Sequence, residues 1–166
     1  MNTCLRAVAT AALMLMLGQA AAAPVASPAS TGHSYVDLRE HLSSDVESNA
    51  WYEAVYKLNR NFDDICGDTF CEGDYSNIQA LRFACSVDSV NGEVAQCVWG
   101  FAASEENVDS QTGRVLVNLP SWRCVAPLAP HTTVSQLISA LAGDEPLYAA
   151  LPGTSLSIYD GLIDCL

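Results

Sequence analysis

Positive charge is what this chain has least of. Its 166 residues hold 7 Lys and Arg against 19 Asp and Glu, a formal net charge of −12, and Lys57 is the single lysine. Phosphate backbones and anionic lipid headgroups are normally bound by clustered basic side chains, so nucleic acid and membrane surfaces are poor partners for such a surface. A cationic protein or peptide, a divalent cation and a neutral small molecule stay compatible with it. Long apolar runs are lacking too: the stretch from Ala7 to Leu17 falls short of the ~20 apolar residues that a bilayer-spanning helix needs. Catalytic signatures are also missing. There is no Walker loop, Gly-x-Gly-x-x-Gly, His-Glu-x-x-His, Cys-x-x-Cys or Gly-x-Ser-x-Gly elbow, which leaves no enzyme class to name.

What the first residues do contain is a basic Arg6, the apolar stretch, and small residues from Gly18 to Ala23. That is the tripartite pattern of a secretory signal. Residues 1–22 read as a signal peptide cut after Ala22, because cutting after Ala23 would leave Pro24 at the new N-terminus. Residues 23–34, which combine Pro, Ser, Gly and Ala with no apolar period, read as a flexible leader, and residues 35–166 as one domain. The 144 residues left after cleavage can bury a single core, and losing Arg6 takes the formal charge to −13. This address is secreted or periplasmic, with no membrane span in the mature form.

Cleavage also discards Cys4, leaving Cys66, Cys71, Cys85, Cys97, Cys124 and Cys165, an even number as full pairing requires. No pair has zinc-knuckle spacing and no histidine stands beside one, so disulfides are expected in an exported chain. Many connectivities are open. The one expected joins Cys85 to Cys97 across a hairpin, Cys66 to Cys71 across a turn, and Cys124 to Cys165 at the C-terminus.

Periodicity places the elements. Residues 35–42 suggest a short helical turn. Ser44 with Glu47 predicts a capping box, and Trp51, Ala54, Val55, Leu58 and Phe62 then form one apolar helical stripe, with Glu53 and Lys57 paired on the wet side. Gly67 is expected to end this helix near Ile65 with a left-handed turn. From residue 79 the period falls to two: Leu81, Phe83, Cys85 and Val87, then Ala95, Cys97, Trp99, Phe101 and Ala103, a hairpin. A three-residue loop at 90–92 would set Cys85 opposite Cys97, whereas a two-residue Asn-Gly turn would not. A polar stretch from Ser104 to Gly113 precedes a third alternating run, Val115, Val117 and Leu119. Trp122, Cys124 and Ala126 give a fourth strand or the continuation of the third past Pro120. Thr133 with Gln136 predicts a second capping box for a helix closed by Gly143, and the tail reads as helical segments broken at Pro152-Gly153. No internal repeat is evident.

The predicted fold is therefore α+β: an N-terminal amphipathic helix on one face of a three- to four-stranded antiparallel sheet, short C-terminal helices, and three disulfides. The other sheet face is left open to water. The layout resembles the cystatin or nuclear-transport-factor style of fold, a likeness that carries no activity.

The most unusual stretch runs from Asp63 to Asp74, with Asp63, Asp64, Asp68, Glu72 and Asp74 placed around Cys66 and Cys71. Cys-Gly-Asp-Thr-x-Cys-Glu-Gly-Asp-Tyr resembles a motif of uncharacterised secreted bacterial proteins over roughly residues 60–166, again with no activity implied. Crowded carboxylates repel unless they meet a cation, share a proton or stay wet. A solvated turn fits, with Asp68 in an Asx-turn and Gly67 and Gly73 at positive φ. Calcium also fits in ligand type, though not in EF-hand spacing. A carboxylate pair for hydrolysis, drawn from Asp64, Asp68, Glu72 and Asp74, the same residues that make the turn a candidate binding site, would need a cleft. His131 could orient Ser121 or Ser135, but a lone histidine beside a capping box is usually a surface residue. Paired cysteines supply no thiolate. The leading expectation is a non-enzymatic binding or inhibitor-like module showing its acidic turn and open sheet face to a basic extracytoplasmic protein. A small hydrolase and a calcium-stabilised envelope protein are the alternatives.

Overall fold

The helical stripe packs against the alternating runs from residue 79 to 103 in the computed structural model, which describes residues 32–166. The expected signal peptide and most of the expected leader, residues 1–31, lie outside the described residues. Strand β1 (Tyr35–Asp37) and the single turn α1 (Leu38–His41) come first, then the long helix α2 (Asp45–Cys66). Four strands follow in chain order: β2 (Gln79–Asp88), β3 (Val94–Ala102), β4 (Glu105–Val108) and β5 (Val115–Asn118). Strand β6 (Ser121–Val125) and the short helices α3 (Val134–Ala140) and α4 (Ile158–Ile163) complete the chain.

Helix α2 starts where its cap says. The Ser44 hydroxyl accepts from the Glu47 amide at 3.2 Å and donates to the Glu47 carboxylate at 2.9 Å, so Glu47 holds the cap's hydroxyl rather than its amide. Trp51, Ala54, Leu58 and Phe62 are buried against the sheet. Phe62 packs on Phe101 at 4.8 Å and Trp99 at 5.8 Å between ring centroids, and Trp51 stacks on Phe83 at 5.7 Å. Lys57 is less wet than its pairing with Glu53 suggested. Its ammonium also reaches Asp144, and only 16% of its side chain is exposed. The helix ends at Cys66 without the left-handed glycine expected: Gly67 has φ −65°, and Gly73 is not among the positive-φ residues. Backbone turns from Asp68, Thr69 and Cys71 onto Ile65 and Cys66 close it instead, together with the Thr69 hydroxyl on the Ile65 carbonyl.

The sheet is antiparallel in the order β1-β2-β3-β6. Its fourth member is β1, a stretch that sequence alone read as a helical turn; three residues are too few to show a period, and pairing with Val87 and its neighbours decides the conformation. Cys85 does face Cys97, but through a longer turn at 89–92 and a register shift between Ser86 and Val87 that leaves Ala95 exposed. A second shift sets Leu81 and Arg82 against Gly100 and swings Leu81 out to solvent, against its predicted place in the core.

Strands β4 and β5 overturn a simpler expectation. The polar stretch contains a strand, and the alternating run Val115–Leu119 lies outside the core: every residue of both strands is exposed. The pairing that runs from Val98–Val125 to Ala102–Ser121 resumes in the same register from Glu105–Asn118 to Val108–Val115. The Ala103 amide donates to the Pro120 carbonyl between the two halves. Thus β3–β4 and β5–β6 form a single ribbon whose distal half projects as an arm.

The C-terminal segment returns to the body. Helix α3 carries the full capping box of Thr133 and Gln136 but stops at Leu141, ahead of Gly143. Only one helix forms after Pro152-Gly153, α4, with a capping box of Ser157 and Asp160 that the reading of the tail missed. Gly161 lets α4 approach β6: a Cβ there would lie 2.9 Å from the Val125 carbonyl.

The three disulfides join Cys66–Cys71, Cys85–Cys97 and Cys124–Cys165, the pairing expected, with Cα–Cα distances of 5.0, 4.0 and 5.5 Å. Their closed loops differ in length, and by chain entropy the 41-residue span of Cys124–Cys165 stabilises by about 4 kcal/mol against about 2 for the 5-residue span of Cys66–Cys71. Denaturant titration of the two double Cys→Ser variants should therefore rank the C-terminal bridge as the costlier loss. Equal losses would show that loop closure does not set their worth.

Candidate functional site

The acidic turn keeps its charge on the surface. Asp63 and Asp64 end α2, Asp68 follows it, and Glu72 and Asp74 come after Cys71; all five are exposed. Asp68 makes no Asx-turn among the described residues, and none of the five is in an ion pair there. Among the described residues no three His, Cys, Asp or Glu side chains are gathered as metal ligands. What the structure adds is where this turn is moored. Asn77 donates to the Ser104 hydroxyl at 3.0 Å and accepts from the Ser104 amide at 3.1 Å. Asn118 donates to the Tyr75 hydroxyl at 3.0 Å, and Tyr75 packs edge-on against Trp122. The acidic segment is thereby fastened to the root of the arm.

The arm continues the open face of the sheet. Alternation puts Val125, Arg123, Ser121, Leu119, Val117 and Val115 on one face of the ribbon, opposite Val98, Gly100, Ala102, Ser104, Glu106 and Val108. Trp122 and Cys124 take the other face, toward the core. Of the open face, Val108, Val115, Val117, Leu119 and Val125 are 72, 62, 57, 71 and 50% exposed. Nearer β1 the same face forms a shallow trough of about 410 Å³, floored by Ala84, Ser86, Gln96 and Val98 beside Tyr35 and Asp37.

A second feature went unread in the sequence. A cleft of about 240 Å³ is lined by His33, Tyr35, Asp88, Glu93, Pro130 and His131 among others. His33 Nδ1 lies 2.5 Å from Asp88, whose side chain is almost wholly buried, and His131 Nδ1 lies 3.1 Å from Glu93. Among the described residues neither ring bonds a hydroxyl, and His131 does not orient Ser121 or Ser135. His131 instead takes φ +63° where the loop turns back to pair with Gly92 and Val94. His33 and Ser34, assigned to the leader, are bonded to the β2–β3 turn through Asp88 and Ser89.

That turn is one of two with the same build. Val-Asp-Ser-x-x-Gly occurs at 87–92 and again at 108–113, a short repeat overlooked because its variable positions, Val-Asn and Gln-Thr, share no property. In each the Asp amide donates across the hairpin, to Glu93 or Arg114, and the Gly amide donates to the Asp carbonyl. In each the Asp carboxylate accepts the amide two residues on at 2.9 Å, and the glycine holds φ +71° or +69°. Asp88 and Asp109 thus make the Asx-turn that Asp68 does not.

Comparison of the chain with protein-family models, with curated proteins and with solved structures finds no match. Function is therefore read from the geometry alone.

Four turn and cap carboxylates are held below the ordinary range. The Arg39 side chain lowers Asp37, the His33 ring and then the Val90 amide lower Asp88, the Thr112 hydroxyl and the Gln111 and Thr112 amides lower Asp109, and Ser157 lowers Asp160. A carboxylate with a depressed folded pKa adds stability that is complete above its unfolded value, near 4, and is lost as pH falls through the folded one. The melting temperature should thus drop below about pH 4. Asp109→Asn should melt lower than the native chain at neutral pH, the gap closing as pH falls to about 2. A gap independent of pH would show that ionisation of Asp109 does not brace the tip.

Proposed function

We propose that this protein is an exported, non-enzymatic binding module that docks an extracytoplasmic partner protein on the open face of the ribbon and its arm. The observation that carries the reading is the row of large aliphatic side chains, Val108, Val115, Val117, Leu119 and Val125, standing half or more exposed on one face. Exposed aliphatic surface of this kind, continuous from Val108 and Val115 to Leu119 and taken up again at Val125 past Ser121 and Arg123, marks interaction sites, because leaving it in water forgoes about 25 cal/mol per Å². Acid stands in and around the stripe, Glu106 lying on the same face opposite Val117. Glu105, Glu106 and Asp109 belong to the arm, and Glu72 and Asp74 precede the Tyr75 and Asn77 contacts that tie their loop to its root. A fitting partner is apolar at its centre and basic around it, the charge steering its approach and the aliphatic groups supplying affinity. Export rests on the signal pattern of residues 1–22 and is consistent with three disulfides.

The test is site-specific photocross-linking in the producing organism. A photoreactive residue at Val117 should form an adduct with a partner of basic pI, and one at Tyr56, exposed on α2, should not. The yield of the adduct should fall at high salt, and changing Glu72 and Asp74 to amides should weaken the capture that precedes it by about tenfold in apparent affinity, the scale of ~1.4 kcal/mol. Equal labelling from both positions, or none from Val117, would remove this reading.

A further inference from the structure

We infer that the edge of β5, free among the described residues, pairs with the same edge of a second copy, so that two arms join as a four-stranded sheet. The inference rests on the arm being an interaction element but not on any partner of another kind. Hydrogen bonding within the ribbon fixes which backbone groups remain. The Arg114 carbonyl accepts from Asp109 and the Pro120 carbonyl from Ala103, so the even-numbered residues of this strand bond inward. Val115, Val117, Leu119, Ser121 and Arg123 therefore turn both amide and carbonyl outward. Pro120 does not block the edge, because its missing N–H falls on the inward side.

Such an edge is normally blunted by lysine, proline or an inward charge. Between Val115 and Leu119 this one carries none of these, although the chain as a whole has a net charge of −12. An uncharged strand on a strongly acidic body suits an uncharged strand, and the one always present is its own. Antiparallel pairing about a two-fold axis at Val117 sets Val117 of each copy opposite the other, and Val115 opposite Leu119. No like charges then meet across the seam, and the exposed valines and leucines of both copies fall on one side as a doubled apolar face. The acidic strand β4 lies on the far side of each ribbon. Repulsion between the two bodies acts at longer range and is screened beyond ~10 Å at 0.1 M salt, so this association strengthens with salt whereas capture of a basic partner weakens.

Sedimentation of the purified protein alone, over a wide concentration range at low and high salt, tests this. A dimer should appear with rising concentration and tighten with salt. Val117→Lys, which sets two ammonium groups opposite each other at the axis, should raise the dissociation constant by at least about tenfold. Val108→Lys, on the same face but on β4, should leave it unchanged; circular dichroism and melting check that both variants fold. A monomer at every concentration and salt, an unaffected Val117→Lys, or equal loss in Val108→Lys would each overturn the inference. A monomer that still forms the Val117 cross-link to another protein would sink the dimer and spare the binding module.

Discussion

The structure hangs on the strip of aromatic contact between α2 and β3. Phe62 touches both Trp99 and Phe101, and Trp99 in turn touches Phe83 on β2. Because β3 is hydrogen-bonded to β2 on one side and β6 on the other, this strip fixes which face of three strands is inside. Cys85–Cys97 and Cys124–Cys165 lie on that same face and hold the arrangement from both ends. The contact is not free of cost. The Trp99 indole N–H is buried with no hydrogen-bond acceptor among the described residues, a desolvation of the order of 1–3 kcal/mol that the surrounding rings offset.

One helix can cover only one face. With α2 committed to the inside, the opposite face of the sheet has no cover in the chain described, and the ribbon carries that face beyond the body into the arm. There the strands are exposed on both sides, yet both are retained as strands, because their mutual hydrogen bonds and the Asp109 turn satisfy the backbone without a core. A two-stranded ribbon alone is marginal in water. Its continuity with β3–β6 and the ties to Asn77 and Tyr75 are what hold it out as a defined element.

The long helix, the strands from 79 to 102 and the Cys85–Cys97 bridge were readable because each rests on a strong local signal: a sustained period, a cap, or cysteines brought together by a hairpin, whereas the other two bridges had no such signal. What failed has physical reasons. Leu81 and Ala95 follow the alternation yet sit outside, since a register shift inverts the faces and leaves no mark in composition. Val115, Val117 and Leu119 look like a core strand because alternation reports two unlike faces without saying which one a partner covers. Strand β4, Glu-Glu-Asn-Val, has no β signature at all; its conformation comes from β5. The acidic turn was visible as composition, whereas its attachment to the arm depends on Asn77 and Tyr75, two ordinary residues that only the fold brings to Ser104 and Asn118.

The repeated Val-Asp-Ser-x-x-Gly turn shows how little sequence suffices when backbone geometry is the constraint. Both turns need the same three things: a carboxylate to collect amides that face no strand, a glycine for positive φ, and a strand pair to close on. The first copy has further work, because the almost wholly buried Asp88 also takes His33 and so fastens the chain before β1, while the second, Asp109, is half-buried and braces only the tip. Identical local chemistry thus serves a buried junction at one end of the sheet and an exposed point at the other. Burial separates the two roles, and it is set by whether α3 and the loop at 130–133 pack alongside. They do so at Glu93, which bridges to Thr133, and the arm has no such neighbour.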